Sequence, residues 1–149
     1  PHTLGRDGAR TPMPWQAGAP QAGFSCANRT WLKLDPAHSG LAADRQAGDP
    51  QSTLAYARAL LAMRRKHPAL VRGDITLLDA PDHVVAFIRE AEREKVLCAF
   101  NLGETPVAFA APAGWNGARL LASDAAVGND GVVPQVLAPG GGFWAIEGK

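Results

Sequence analysis

The sequence predicts an all-β antiparallel sandwich over residues 72–149. Residues 1–71 before it read as an irregular stretch and one helix that lean on polypeptide outside the chain. Three observations predict this. Val and Ile are absent from residues 1–70, whereas twelve occur from Val71 onward, and β-branched side chains suit a pleated sheet. Seven short runs separated by turn-forming residues follow Gly73 with no helical pattern between them, which favours an antiparallel sandwich over a parallel sheet. Six of the twelve prolines and six glycines fall in the first fifty residues, marking a loop far longer than the ~15 residues a compact domain ordinarily leaves unstructured.

The single helix is expected over Ser52 to Lys66, with Asp49 as N-cap, Pro50 in the first turn and Pro68 as the stop. Leu54, Ala57 and Leu61 share one face, and Tyr56, Leu60 and Met63 widen it, so the helix buries a broad apolar surface against another layer. Its last turn, Arg64-Arg65-Lys66, opposes the helix dipole favourably. The expected strands are 75–78, 83–90, 95–102, 105–110, 118–122, 132–138 and 142–147. Turns are placed at Ala80-Pro81-Asp82, Glu92-Arg93-Glu94, Gly103, Gly114-Trp115-Asn116-Gly117 and Asn129-Asp130-Gly131. Gly140-Gly141-Gly142 lets the chain enter the last strand.

Fifteen Lys and Arg against fourteen Asp and Glu leave a net charge of +1, so no broad field is available to recruit nucleic acid or an anionic membrane. No apolar run approaches the roughly 18 residues of a membrane span, and the amino terminus lacks the order of a signal peptide. Cys26 and Cys98 lie far apart without a Cys-x-x-Cys pattern, which favours two reduced thiols and a cytoplasmic location. His2, His38, His67 and His83 are isolated from one another and from both cysteines, so no metal site is expected. No Gly-x-Ser-x-Gly elbow and no phosphate loop is present, and no cofactor is implied. Asn28-Arg29-Thr30 matches a glycosylation acceptor, which carries no weight without secretion. A start at Pro1 without an initiator Met points to a fragment or a processed product.

The densest chemistry lies in Gly5-Arg6-Asp7-Gly8-Ala9-Arg10-Thr11-Pro12-Met13-Pro14-Trp15. A guanidinium offers fixed donors to sugar hydroxyls, Asp7 can accept from hydroxyls or hold an arginine, and Trp15 supplies an apolar ring face. A salt bridge that merely braces the loop is the competing reading of the same residues.

These residues resemble the Arg-Asp-x-x-Arg-Thr-Pro-Met-x-Trp motif of the α-glucosidase and oligo-1,6-glucosidase group within the α-amylase superfamily of glycoside hydrolases. Ala22-Gly23-Phe24-Ser25, Trp31-Leu32, Asp35-Pro36 and the helix end Leu61 to Leu70 follow in the order that group shows. Residues 73–149, with Val85 to Arg89 and Val96 to Leu102, look like its carboxy-terminal β-domain. Two positions depart from the motif: Pro14 stands where many relatives carry Gln, and Gly8 where many carry Asn.

The resemblance implies a fragment: the last loop and helix of a catalytic (β/α)8 barrel over residues 1–71, then an all-β antiparallel sandwich domain over 72–149. A loop after a barrel strand lies at the face where active sites are built. The family's retaining mechanism uses a nucleophilic carboxylate and an acid/base carboxylic acid, whose motifs lie upstream of the matched region, so no catalytic residue is assigned here. Arg6 is implied to bind the non-reducing-end glucose at its 4-hydroxyl, with Arg10 a weaker second contact and Asp7 and Trp15 as loop supports. The implied partners are α-glucosides, met through the complete enzyme, and the preceding barrel. Two other classes compete. One is a free-standing carbohydrate-binding sandwich stacking sugars on Trp115 and Trp144, although Trp144 is expected in the core; the other is an interaction domain docking through the apolar helix face.

Overall fold

A computed structural model describes residues 6–115, 117–124 and 131–148. Gly5, His2, Asn116 and the Asn129-Asp130 part of an expected turn lie outside the described residues. The chain divides into two compact units, Pro1–Ala57 and Arg58–Lys149.

In the first unit the expected loop is punctuated by short helical turns. Turns of 3-10 helix occupy Asp7–Ala9, Pro20–Gly23 and Pro36–Leu41, and α1 spans Ala43–Ala47. Proline starts the third, where its fixed φ suits the first helical position and its lack of an N–H costs nothing; the second also begins with a proline but turns left-handed at Gln21 and Ala22. Asp35 caps the third, its carboxylate accepting from Ala37 N–H at 2.9 Å. The long helix α2 runs Thr53–Lys66. Its cap is Ser52, not Asp49: the Ser52 hydroxyl accepts from Ala55 N–H at 3.1 Å and donates to the Gln46 carbonyl at 2.7 Å. Asp49 instead turns the chain ahead of the helix by accepting from Gln51 N–H at 2.8 Å.

In the second unit, α3 spans Pro68–Arg72, followed by β1 Asp74–Leu77, β2 Val84–Ala91, β3 Glu94–Asn101, β4 Val107–Ala108, β5 Arg119–Ser123, β6 Val136–Leu137 and β7 Gly142–Ile146. Every expected strand is present, and among the described residues all pairings are antiparallel. The main sheet runs β1-β2-β3-β7-β5, and β4 pairs with β6 in a second, two-stranded sheet. The runs expected over 105–110 and 132–138 shrink to two residues each because Pro106 and Pro134 remove ladder donors beside them.

Period-two alternation sorts the side chains of the main sheet onto two faces. Leu97, Ala99, Phe143 and Ala145 pack beneath Phe109 and Leu137 from the small sheet's side. Val96, Cys98 and Trp144 pack instead against Met63, Ala69 and Leu70 of α2 and α3. A register shift in β5 between Leu120 and Ala122 sends Leu120 to the first face and both Leu121 and Ala122 to the second. On α2, Met63 is buried and Leu60 half-buried, whereas Ala57 and Leu61 of the expected principal stripe are exposed. Gly142 is required where it stands, because a Cβ there would overlap the Phe100 ring and lie 2.8 Å from the Ala99 carbonyl.

Two polar anchors brace β3. Glu94 at its start accepts from Ala69 N–H at 3.0 Å and meets His67 Nδ1 at 2.8 Å, tying α3 to the sheet. Asn101 at its end is fully buried. Its Nδ2 donates to the carbonyls of Thr105, Leu137 and Ala138 at 2.8, 3.2 and 3.0 Å, and its Oδ1 accepts from Gly103 N–H at 2.9 Å. Cys98 and Cys26 are both unbridged, the first buried and the second exposed. Burial pushes the Cys98 thiol up to about 12, against a smaller opposing pull from Arg89.

Two outcomes follow from these anchors. Asn101→Ala leaves buried carbonyls unsatisfied and lowers the unfolding free energy by about 2–3 kcal/mol with an unchanged slope in urea titration; Asn101→Asp, which lacks the amide donor, fails similarly. A native chain treated with a thiol reagent near pH 8 is modified at Cys26 alone, and Cys98 reacts only after denaturation. Because the folded chain holds the Cys98 proton and the unfolded chain releases it near 9, this contribution to stability is full below that pH. It is lost as pH rises from there towards 12.

Candidate functional site

The Arg6–Trp15 segment lies in the first unit. The turn at Asp7–Ala9 is closed by Ala9 N–H donating to the Arg6 carbonyl and Arg10 N–H to that of Asp7, both at 3.0 Å. Arg6 and Arg10 are exposed and Asp7 is half-buried. No ion pair joins Asp7 to either arginine among the described residues, where the ion pairs are His67–Glu94, Arg72–Glu92 and Lys95–Glu90. The guanidinium groups are thus presented to solvent with their donors uncommitted to a bracing salt bridge.

Beyond the turn the chain alternates. Pro12 and Pro14 are buried while Thr11, Met13 and Trp15 are exposed, the last at 52%. Although its indole is open, the Trp15 backbone is held on both sides: its N–H donates to the Ala22 carbonyl at 2.8 Å, and its carbonyl accepts from Asp44 N–H at 3.0 Å. The Ala22 carbonyl accepts a second bond from Gln16 N–H at 2.9 Å. This double acceptor is aimed by left-handed backbone at three successive residues, Gln21 (φ 50), Ala22 (φ 50) and Gly23 (φ 71). Gln and Ala at positive φ cost energy that surrounding bonds must offset.

Neither the left-handed turn nor the part played by Asp44 is visible from residue types. Position 22 carries Ala where glycine is the usual signal, and Asp44 reaches Ala17 across 27 residues of sequence.

The sandwich offers a different surface. A groove of about 880 Å³ is lined by residues 108–111, Trp115 and residues 132–135. Gln135 is the one polar side chain of that lining, and no acid, base or nucleophile is present in it. Trp115, expected as a possible exposed stacking platform, is only 4% exposed and packs in the core with Phe109 and Phe143. Trp144 is half-buried and meets Phe100 edge to face at 5.0 Å. No group of three or more His, Cys, Asp or Glu that could hold a metal ion occurs among the described residues, and no helix among them is long and apolar enough to cross a membrane.

Residues 1–73 match the family described as alpha amylase, catalytic domain, and residues 72–144 match a domain of unknown function (DUF3459). A probable alpha-glucosidase of Rhizobium meliloti (strain 1021) is 40% identical over 104 residues, covering 70% of this chain and 18% of the relative. An oligo-1,6-glucosidase of Heyndrickxia coagulans is 37% identical over 110 residues, covering 72% and 19%. Among solved structures, the alpha-glucosyl transfer enzyme XgtA superposes with a TM-score of 0.81 at 36% identity, over 99% of this chain and 27% of that one. The trehalulose synthase MutB from Pseudomonas mesoacidophila MX-45 superposes with a TM-score of 0.79 at 29% identity, over 95% and 26%.

The chain therefore spans about a fifth of the length of the curated relatives it matches. It covers the end of the catalytic domain and a carboxy-terminal antiparallel β-sheet domain. Motif, sequence similarity and fold agree on one placement: the chain belongs to the α-amylase superfamily of glycoside hydrolases, beside its α-glucosidases and oligo-1,6-glucosidases.

Proposed function

We propose that this chain is the carboxy-terminal part of a retaining α-glucosidase acting on terminal α-linked glucose of short oligosaccharides. In this reading residues 1–71 complete a catalytic barrel and residues 72–149 form a structural β-domain. The chemistry is a double displacement. One carboxylate attacks the anomeric carbon while a second carboxylic acid protonates the departing oxygen and then activates water. Both groups belong to preceding segments, and this stretch supplies substrate recognition.

The observation that carries the reading is the pair of solvent-facing guanidinium groups, Arg6 and Arg10, on a loop whose exit at Trp15 is held by main-chain bonds. Arg6 donates to the 4-hydroxyl of the terminal glucose. Arg10 makes a weaker contact near the rim, and Asp7 and Trp15 support the loop. A planar donor fork carried on an already ordered backbone suits a vicinal hydroxyl pattern, because the loop itself loses little freedom on binding and the donors within each fork are fixed relative to one another.

The large apolar side chains that the first unit exposes, Met13, Trp15, Phe24, Trp31 and Leu41, support a catalytic domain as its covering partner. Trp31 alone is 82% exposed. Unbridged Cys26 and Cys98 favour a cytoplasmic location.

The test uses the complete polypeptide. Arg6→Ala lowers kcat/KM for a terminal α-glucoside by about 10- to 100-fold, the effect of removing a charged donor from a substrate hydroxyl. Arg10→Ala has a smaller effect. Unaltered kinetics in the Arg6 variant overturn the assignment.

A further inference from the structure

We propose that Asp44 is a positioning residue for the Arg6–Trp15 loop, acting through the main chain at Trp15 and Ala17; this rests on the reading of that loop as substrate-binding.

The geometry is a two-sided grip on residues 14–17. From α1, Ala43 N–H donates to the Pro14 carbonyl and Asp44 N–H to the Trp15 carbonyl, both at 3.0 Å. The Asp44 carboxylate turns back and accepts from Ala17 N–H with both oxygens, at 3.2 and 3.1 Å. Its Oδ1 also accepts from Arg45 N–H at 2.8 Å. From the other side, the Ala22 carbonyl takes the N–H groups of Trp15 and Gln16. Asp44 is thus donor and acceptor at once, spanning the peptide groups that follow the motif.

The grip reaches Arg6 along a stiff path. Pro12 and Pro14 are buried, each with φ locked by its ring, so the segment from Thr11 to Trp15 has few torsions in which to absorb a displacement of its anchored end. The 3-10 turn at Asp7–Ala9 then sets the direction in which the Arg6 side chain leaves the loop. Asp44 itself is exposed, and exposed hydrogen bonds contribute little net stability. Its bonds therefore shape the loop without being required for the fold.

The experiment is a double-mutant cycle in the complete polypeptide, with p-nitrophenyl α-D-glucoside as probe. Asp44→Ala raises KM about tenfold while kcat and the thermal midpoint stay near wild type. Asp44→Asn, which keeps an oxygen acceptor for Ala17 N–H, recovers most of the loss. In an Arg6→Ala background the Asp44→Ala change has no further effect, because the group it positions is gone.

A loss confined to kcat and accompanied by a lowered thermal midpoint identifies a general structural role and overturns the proposal. Equal losses from Asp44→Ala in both backgrounds overturn it too, while leaving the substrate-binding role of Arg6 intact. A silent Arg6→Ala variant removes that role and the positioning claim together.

Discussion

Strand β3 is buried on both faces, and the second unit is organised by that demand. Val96, Leu97, Cys98 and Ala99 are consecutive and fully inaccessible to solvent. Alternate side chains point in opposite directions, so one layer can cover only half of them. The small β4–β6 sheet and its flanking loops cover Leu97 and Ala99; the end of α2 with α3 covers Val96 and Cys98. A helix-to-sheet contact is therefore a requirement of the strand. Glu94 and Asn101 hold the covering layers at the two ends of β3, with a carboxylate binding the start of α3 and a buried amide gathering the carbonyls of the small sheet.

The first unit is built on the opposite principle. It contains no strand among the described residues, and its order comes from main-chain bonds between distant loops, proline-started turns and a run of left-handed residues. Such bonds use backbone atoms, which leaves side chains free for other partners. Arg6, Arg10 and Trp15 are exposed on backbone held by neighbouring main-chain bonds. For the proposed binding role this division of labour is an advantage, since rigidity and recognition then draw on different atoms.

Much of the fold was legible from residue types. β-Branched residues and turn dipeptides located all seven strands, because burial on a pleated surface selects for those side chains locally. What required the structure was non-local. Ser52 displaced Asp49 as the cap through the Gln46 carbonyl, six residues upstream. Trp115, placed in a turn by its glycine neighbours, proved to be a core residue because the turn folds its ring inward beside Phe109. Arg6, Asp7 and Arg10 stood out as a cluster in sequence, yet no pattern could decide whether they pair. Asp44 carried no signal at all, since its partners lie beyond any helical or strand repeat.

The proposed function places the activity in a longer polypeptide that contains this chain, and the most direct measurement is the intact mass and amino-terminal sequence of the natural polypeptide containing Arg6 to Trp15. The proposed function predicts several hundred further residues on the amino-terminal side, carrying the catalytic carboxylates. A natural polypeptide of 15.6 kDa that begins at Pro1 would contradict it.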